Sequence, residues 1–186
     1  MSILSLTNYL FLNDKQNQII FHISTESSGL EKESSNFFLF LCNPKPKTQV
    51  ADLPNIYKLR GKTNLTNLSI ALAKAHRKID QTSSKKRVCV EIVSDVLLHY
   101  KADATRKWIS ELITDLGSKG YTMLAVMDPE MHPSDQSKAV LNLFDGEISL
   151  TQTEDQMKCK TSLRIKKLRN QDYIKKSNIP NKPVLN

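Results

Sequence analysis

Residues 85–100 read KKRVCVEIVSDVLLHY, and the run RVCVEI inside them decides what kind of sheet this chain builds. A strand with one face in water alternates apolar and polar residues, whereas a strand covered on both faces is apolar throughout. Val88, Cys89 and Val90 follow one another with no polar residue between them, so the spacing predicts a strand buried on both sides. Glu91 stands at its end and Asp95 just beyond. Carboxylates placed there either meet water at the rim of a sheet, or hold a metal ion or an attacking water.

Strands and helices alternate outward from this run. NQIIFHIS (17–24) and FFLFLC (37–42) read as buried strands, the second stopped by NPKPK, whose prolines cannot continue a central strand. NIYKLRG adds a minor strand. In NLTNLSIALAKAHRKID, Leu65, Leu68, Leu72, Ala75 and Ile79 step by three and four, predicting an amphipathic helix capped by Asn64. ADATRKWISELITDLGSKG puts Trp108, Ile109, Leu112, Ile113 and Leu116 on a second helical face and ends at glycines. YTMLAVMD (121–128) is a further buried strand, DPEMHPSD a proline-bounded turn, and SDQSKAVLNLF a short helix.

GEISLTQ and CKTSLRIKKLR close the domain as a hairpin. Arg164, Lys166, Lys167 and Arg169 place charge on both sides of the last strand, the pattern of an edge strand at a subunit boundary. The expected class is α/β, with a mostly parallel sheet, helices on both faces and a C-terminal antiparallel hairpin. One domain spans 1–172, and 173–186 is a basic tail without fixed structure.

Composition narrows the function classes. The 186 residues, 39% hydrophobic and 25% charged, suit one globular domain with a full core. No apolar run approaches the ~18 residues of a membrane helix. The N-terminal segment lacks the basic region and cleavage site of a signal peptide. Cys42, Cys89 and Cys159 are far apart, with no CxxC and no Cys/His pairing of zinc spacing; they read as reduced, mostly buried thiols of a cytoplasmic protein. His22, His76, His99 and His132 show no metal spacing and read as ordinary core or surface histidines.

The net charge of +8 sits at one end. Residues 157–186 hold nine Lys/Arg against Asp172 alone, which leaves the preceding 156 residues balanced. That argues against nucleic-acid coating by the globular body and makes nucleic-acid binding by the basic end the weaker alternative.

Ligands of parallel α/β sheets gather beyond the carboxyl ends of the strands. Glu26, Glu91, Asp95 and Asp128 all fall there, where solvent also begins. Ser94 lacks the glycine elbow of a hydrolase nucleophile.

The segments RVCVEIVSDVLLHY, GYTMLAVMDPEMH, LFDGEISL and SLRIKKLRNQDY occur in the order and spacing of one family. They resemble the KaiC-like branch of the RecA superfamily, most of all the archaeal KaiC-like proteins of signal-transduction type. IIFHISTE resembles the family's strand ending in a catalytic glutamate, and KTNLTNLSIALAKAHRKID the helix before its Walker B strand. The likeness covers about residues 15–172 and implies a RecA-like three-layer α/β/α fold. It places Glu26 at the position that activates the attacking water. Glu91 falls at the Walker B metal carboxylate, one methylene longer than the usual aspartate, with Asp95 a weaker metal candidate. Lys167 and Arg169 match the Lys and Arg that reach a neighbouring subunit's nucleotide.

One part has no counterpart. The family holds ATP with GxxxxGK[ST], whose backbone amides wrap the phosphates. None of the five glycines here (Gly29, Gly61, Gly117, Gly120, Gly146) begins such a loop. Sixteen residues precede NQIIFHIST, and they read as the end of the helix that would follow the loop. Two functions remain. The first is a non-catalytic regulatory or interaction domain that binds a protein partner or copies of itself through RecA-type faces. The second is an ATPase subunit, truncated or contributing Lys167 and Arg169 to a partner that owns a P-loop. No cofactor is expected, and ATP with Mg²⁺ only if a partner or upstream sequence supplies that loop.

Overall fold

The computed structural model describes residues 18–27, 35–42, 52–61, 64–79, 85–155, 158–169 and 176–178. The readings for NPKPK, the first 17 residues and most of the tail lie outside them.

The expected strands form. β1 (Gln18–Ser24) and β2 (Phe37–Cys42) are buried at every position, as runs without polar alternation require. With β3 (Ile56–Leu59), β4 (Lys85–Val90) and β5 (Tyr121–Ala125) they make a five-stranded sheet in the order β3-β2-β1-β4-β5. Every neighbouring pair is parallel. This is the α/β architecture with a mostly parallel sheet that the sequence predicts.

Helix α1 (Leu65–Lys78) links β3 to β4, and α2 (Val93–Ser118) links β4 to β5. Both links move the same way across the sheet. Right-handed crossovers therefore lay both helices on one face. Leu68, Leu72 and Ala75 of α1 and Trp108, Ile109, Leu112 and Leu116 of α2 bury there, against Phe21, Ile23, Phe38, Phe40, Val88 and Val90. Phe21 is the hub, with its ring 5.3 Å from that of Phe38, 5.2 Å from Phe40 and 5.0 Å from Tyr121. The opposite face carries Ile20, Phe37, Leu39 and Leu41, all buried as well. Asn64 caps α1 as expected, its side chain accepting from Asn67 N at 3.1 Å. No described helix is long and apolar enough to cross a membrane.

β5, expected to be buried, is buried only at Tyr121, with Thr122 exposed and the rest half-buried, as its place at the edge of the sheet allows. Two further elements depart from the sequence reading. The stretch VSDVLLHY is helical: α2 begins at Val93, not at Ala102, and is interrupted at Lys101, whose φ of 62° and ψ of 178° lie outside helical space. Thr105 Oγ1 donates to the Lys101 carbonyl at 2.6 Å across the break. The chain leaves α2 through Gly120 at φ +81°, a conformation that suits a residue without a Cβ.

The second departure is in the hairpin. β6 (Gly146–Asp155) and β7 (Lys158–Leu168) pair antiparallel, and β8 (Lys176–Asn178) joins β7 on its other side. β7 is thus the middle strand over Ser162–Arg164 and not an edge throughout. Its charges on both sides are explained by a register shift. Glu147 pairs with Lys167 but Ile148 pairs with Ile165, so Lys166 is an extra residue that resets the alternation. Lys166 Nζ meets Glu147 Oε1 at 2.8 Å. A helix α3 (Ser134–Leu141) precedes this second sheet, with Val140 in the core.

Candidate functional site

β1 and β4 are neighbours, yet the chain leaves β1 toward β2 and leaves β4 toward β5. Such a reversal opens a crevice beyond the strand ends, where open α/β sheets bind ligands. Parallel pairing sets His22 opposite Cys89. Two residues further on, Ser24 and Glu91 share the same side of the sheet, because side chains alternate along a strand. That side is the one carrying Leu39 and Leu41, away from α1 and α2.

Four polar side chains therefore meet on an apolar face. Ser24 Oγ donates to Glu91 Oε2 at 2.7 Å. His22 Nε2 lies 3.1 Å from Glu91 Oε1, with the histidine 1% and the glutamate 14% exposed. Neither ring nitrogen of His22 makes an aligned hydrogen bond, so the contact is electrostatic and not a directed bond. Phe37 packs edge-on against the imidazole, ring centres 5.7 Å apart. The Ser24 hydroxyl also accepts from Glu26 N at 3.2 Å, which pins the first residues after β1. Cys89 is fully buried and not in a disulfide.

The predicted site residues divide. Glu91 lies in this cluster. Glu26 stands beside it by its backbone, with its side chain exposed. Asp95 lies in the first turn of α2, and its charge acts on Cys42, which faces the helix-covered side. Asp128 caps the turn Pro129–Met131, as the proline-bounded loop predicts, accepting from Glu130 N at 3.0 Å. The backbone N–H of Asp128 donates to Ser94 Oγ at 3.0 Å. Lys167 and Arg169 are engaged within the chain. Lys167 Nζ donates to the Phe144 carbonyl at 2.7 Å, and Arg169 pairs with the exposed Asp145 at 3.2 Å.

His22, Ser24 and Cys89 are the members that sequence reasoning did not place in a site. The available signal was a polar residue at the fifth position of one buried strand run, and a thiol two residues before the carboxylate that ends another. Nothing in one sequence pairs those positions until the strand register is known.

As it stands, the cluster commits its carboxylate inward. Both Glu91 oxygens face neighbours from β1, so turning the group outward to a metal-bound water would break the Ser24 bond and leave His22 facing no charge.

A parallel sheet of this order, reversing direction between β1 and β4 with a carboxylate at a strand end beside the switch point, defines an open α/β domain with its crevice at that point. Residues 15–179 match the family described as KaiC ATPase, and the chain belongs to that family. Among solved structures it is similar to a KaiC-like protein of the hyperthermophilic archaeon Pyrococcus horikoshii. The two share 15% identity at a TM-score of 0.58, over 92% of this chain and 76% of that one. It is also similar to an uncharacterized protein of the same organism, solved in complex with an unknown peptide. There identity is 11% and the TM-score 0.59, over 94% of this chain and 84% of that one. At these identities the likeness is one of fold. No curated protein matches the chain.

Proposed function

We propose that this chain is a non-catalytic KaiC/RecA-like domain with a regulatory or interaction role in cytoplasmic signal transduction, working through RecA-type faces with a protein partner or copies of itself. The observation that carries the reading is the inward commitment of Glu91 to Ser24 and His22. Phosphoryl transfer rests on positioning and neutralising phosphates. The chain has no GxxxxGK[ST] to do so, and its metal-position carboxylate is held by its own strand neighbours. The peptide bound to one structural neighbour is in keeping with an interaction role.

The alternative, in which Lys167 and Arg169 serve a partner's nucleotide, would first require them to release Phe144 and Asp145. Calorimetric titration of the full chain with MgATP, alongside a phosphate-release assay, tests the proposal. Weak or no binding and no turnover are expected. Micromolar affinity, worth about 8 kcal/mol, or turnover lost on Glu91→Ala, would overturn it.

A further inference from the structure

The geometry points to a buried transition-metal site of the zinc class, formed by His22, Cys89 and Glu91, with Ser24 orienting the carboxylate. A His22 ring nitrogen, Cys89 Sγ and a Glu91 carboxylate oxygen all lie within 4.8 Å of one another. A tetrahedral zinc with bonds of about 2.1 Å to nitrogen and oxygen sets those two atoms roughly 3.4 Å apart. His22 Nε2 and Glu91 Oε1 already stand 3.1 Å apart. The sulfur, within 4.8 Å of both, completes a third vertex when it closes to roughly 3.6 Å from them.

Three further observations support a metal over a plain ion pair. The imidazole is 1% exposed and neither of its nitrogens has an aligned hydrogen-bond partner, so no directed bond has to break for the ring to take a metal in its neutral form. Ser24 Oγ holds Glu91 Oε2 at 2.7 Å, the kind of outer contact that fixes a ligating carboxylate and leaves its other oxygen to aim at the metal. Charge also balances. A divalent cation with one thiolate, one carboxylate and a neutral imidazole is neutral overall, which suits a buried face better than an isolated charge does.

The donor set selects the metal. Thiolate and imidazole suit zinc and its neighbours, whereas Mg²⁺ requires oxygen ligands, and two of the three donors here are nitrogen and sulfur. Glu91, the least buried of the three at the strand end, marks the entry side, where water supplies the fourth ligand. The site needs no phosphate-binding loop: it uses the face and register of β1 and β4, and takes Glu91, the residue that the family resemblance sets at the Walker B position, as one of its ligands.

The test is to titrate the metal-free full chain with Co²⁺ as an optical stand-in, then compete with Zn²⁺ and, separately, Mg²⁺. One equivalent should bind with thiolate-to-cobalt charge-transfer absorption, which zinc removes and magnesium leaves unchanged. Cys89→Ser should abolish that band, while Cys42→Ser and Cys159→Ser retain it. Ser24→Ala should weaken binding about 10- to 100-fold. Absence of the band in the parent chain, or its survival in Cys89→Ser, overturns the proposal. Cys89 is fully buried and its variant can misfold, so zinc-edge anomalous diffraction from crystals of the unaltered chain gives a reading without mutation. A peak between the three side chains, with one sulfur at about 2.3 Å, is expected; zinc bound only elsewhere overturns the assignment.

Discussion

His76 and Cys42 show how the fold changes single side chains. Burial and the nearby Asp95 charge push the Cys42 thiol up to about 12, so it stays protonated at neutral pH and acts as a small apolar core residue. For His76, burial first and then the positive charges of Lys119 and Lys86 lower the pKa, with Asp115 opposing them. Its Nδ1 lies 3.2 Å from the Tyr121 hydroxyl, whose own pKa is raised by burial. A histidine depressed in the fold favours the neutral ring. Its contribution to stability is therefore complete above the unfolded value of about 6.5 and is lost as pH falls from there toward the lowered folded value. An NMR titration of the His76 ring should show a midpoint below the ordinary histidine range, moving up in Lys119→Ala. A midpoint at or above that range would show that burial and the two lysines do not depress it.

Among the elements, α2 carries the one described non-glycine residue at positive φ, Lys101. A side chain held at φ 62° and ψ 178° costs on the order of 1–3 kcal/mol, because that region is nearly closed to residues with a Cβ. Glycine enters it freely but gives up about 0.5–1 kcal/mol in unfolded-chain entropy. Lys101→Gly should therefore stabilise the chain by roughly 1 kcal/mol, raising Tm by about 2–4 °C in calorimetry. A lower Tm would mean that the break in α2 does not take this form. The break itself has a topological sense: Val93, Val96 and Leu97 pack the first half into the core, while Trp108, Ile109, Leu112 and Leu116 pack the second, and one straight helix has a single buried stripe.

At the scale of the molecule, stability is concentrated where β1, β2 and β5 meet around Phe21. Phe21→Ala removes a fully buried ring from that junction and should cost about 3–5 kcal/mol by urea unfolding. That is a large share of the roughly 5–15 kcal/mol holding a typical domain together. Ile148→Ala, on an exposed position of β6, should change stability by no more than about 0.5 kcal/mol. Equal losses from the two would show that the parallel sheet and the β6–β8 sheet share the core evenly.

Local pattern was enough for most of the elements. The apolar run of β2, that of Val88–Val90 in β4 and the mostly apolar β1 announced a parallel sheet, and the three-and-four spacing of α1 and of the second half of α2 named their buried residues, because hydrophobic periodicity is a property of neighbouring residues along the chain. The ordered motifs placed the chain among KaiC-like proteins for the same reason. VSDVLLHY was illegible as a helix since its eight residues stop at Lys101, and the extra Lys166 could not be seen without its partner strand. The candidate cluster was the least legible part. Glu91 could be singled out from its place at a strand end, but Ser24, its hydrogen-bond partner, is 67 residues away in the chain. The meeting of His22, Ser24, Cys89 and Glu91 depends on which strands are neighbours and in what register. The crossovers of the whole sheet set that, and no single stretch of sequence encodes it.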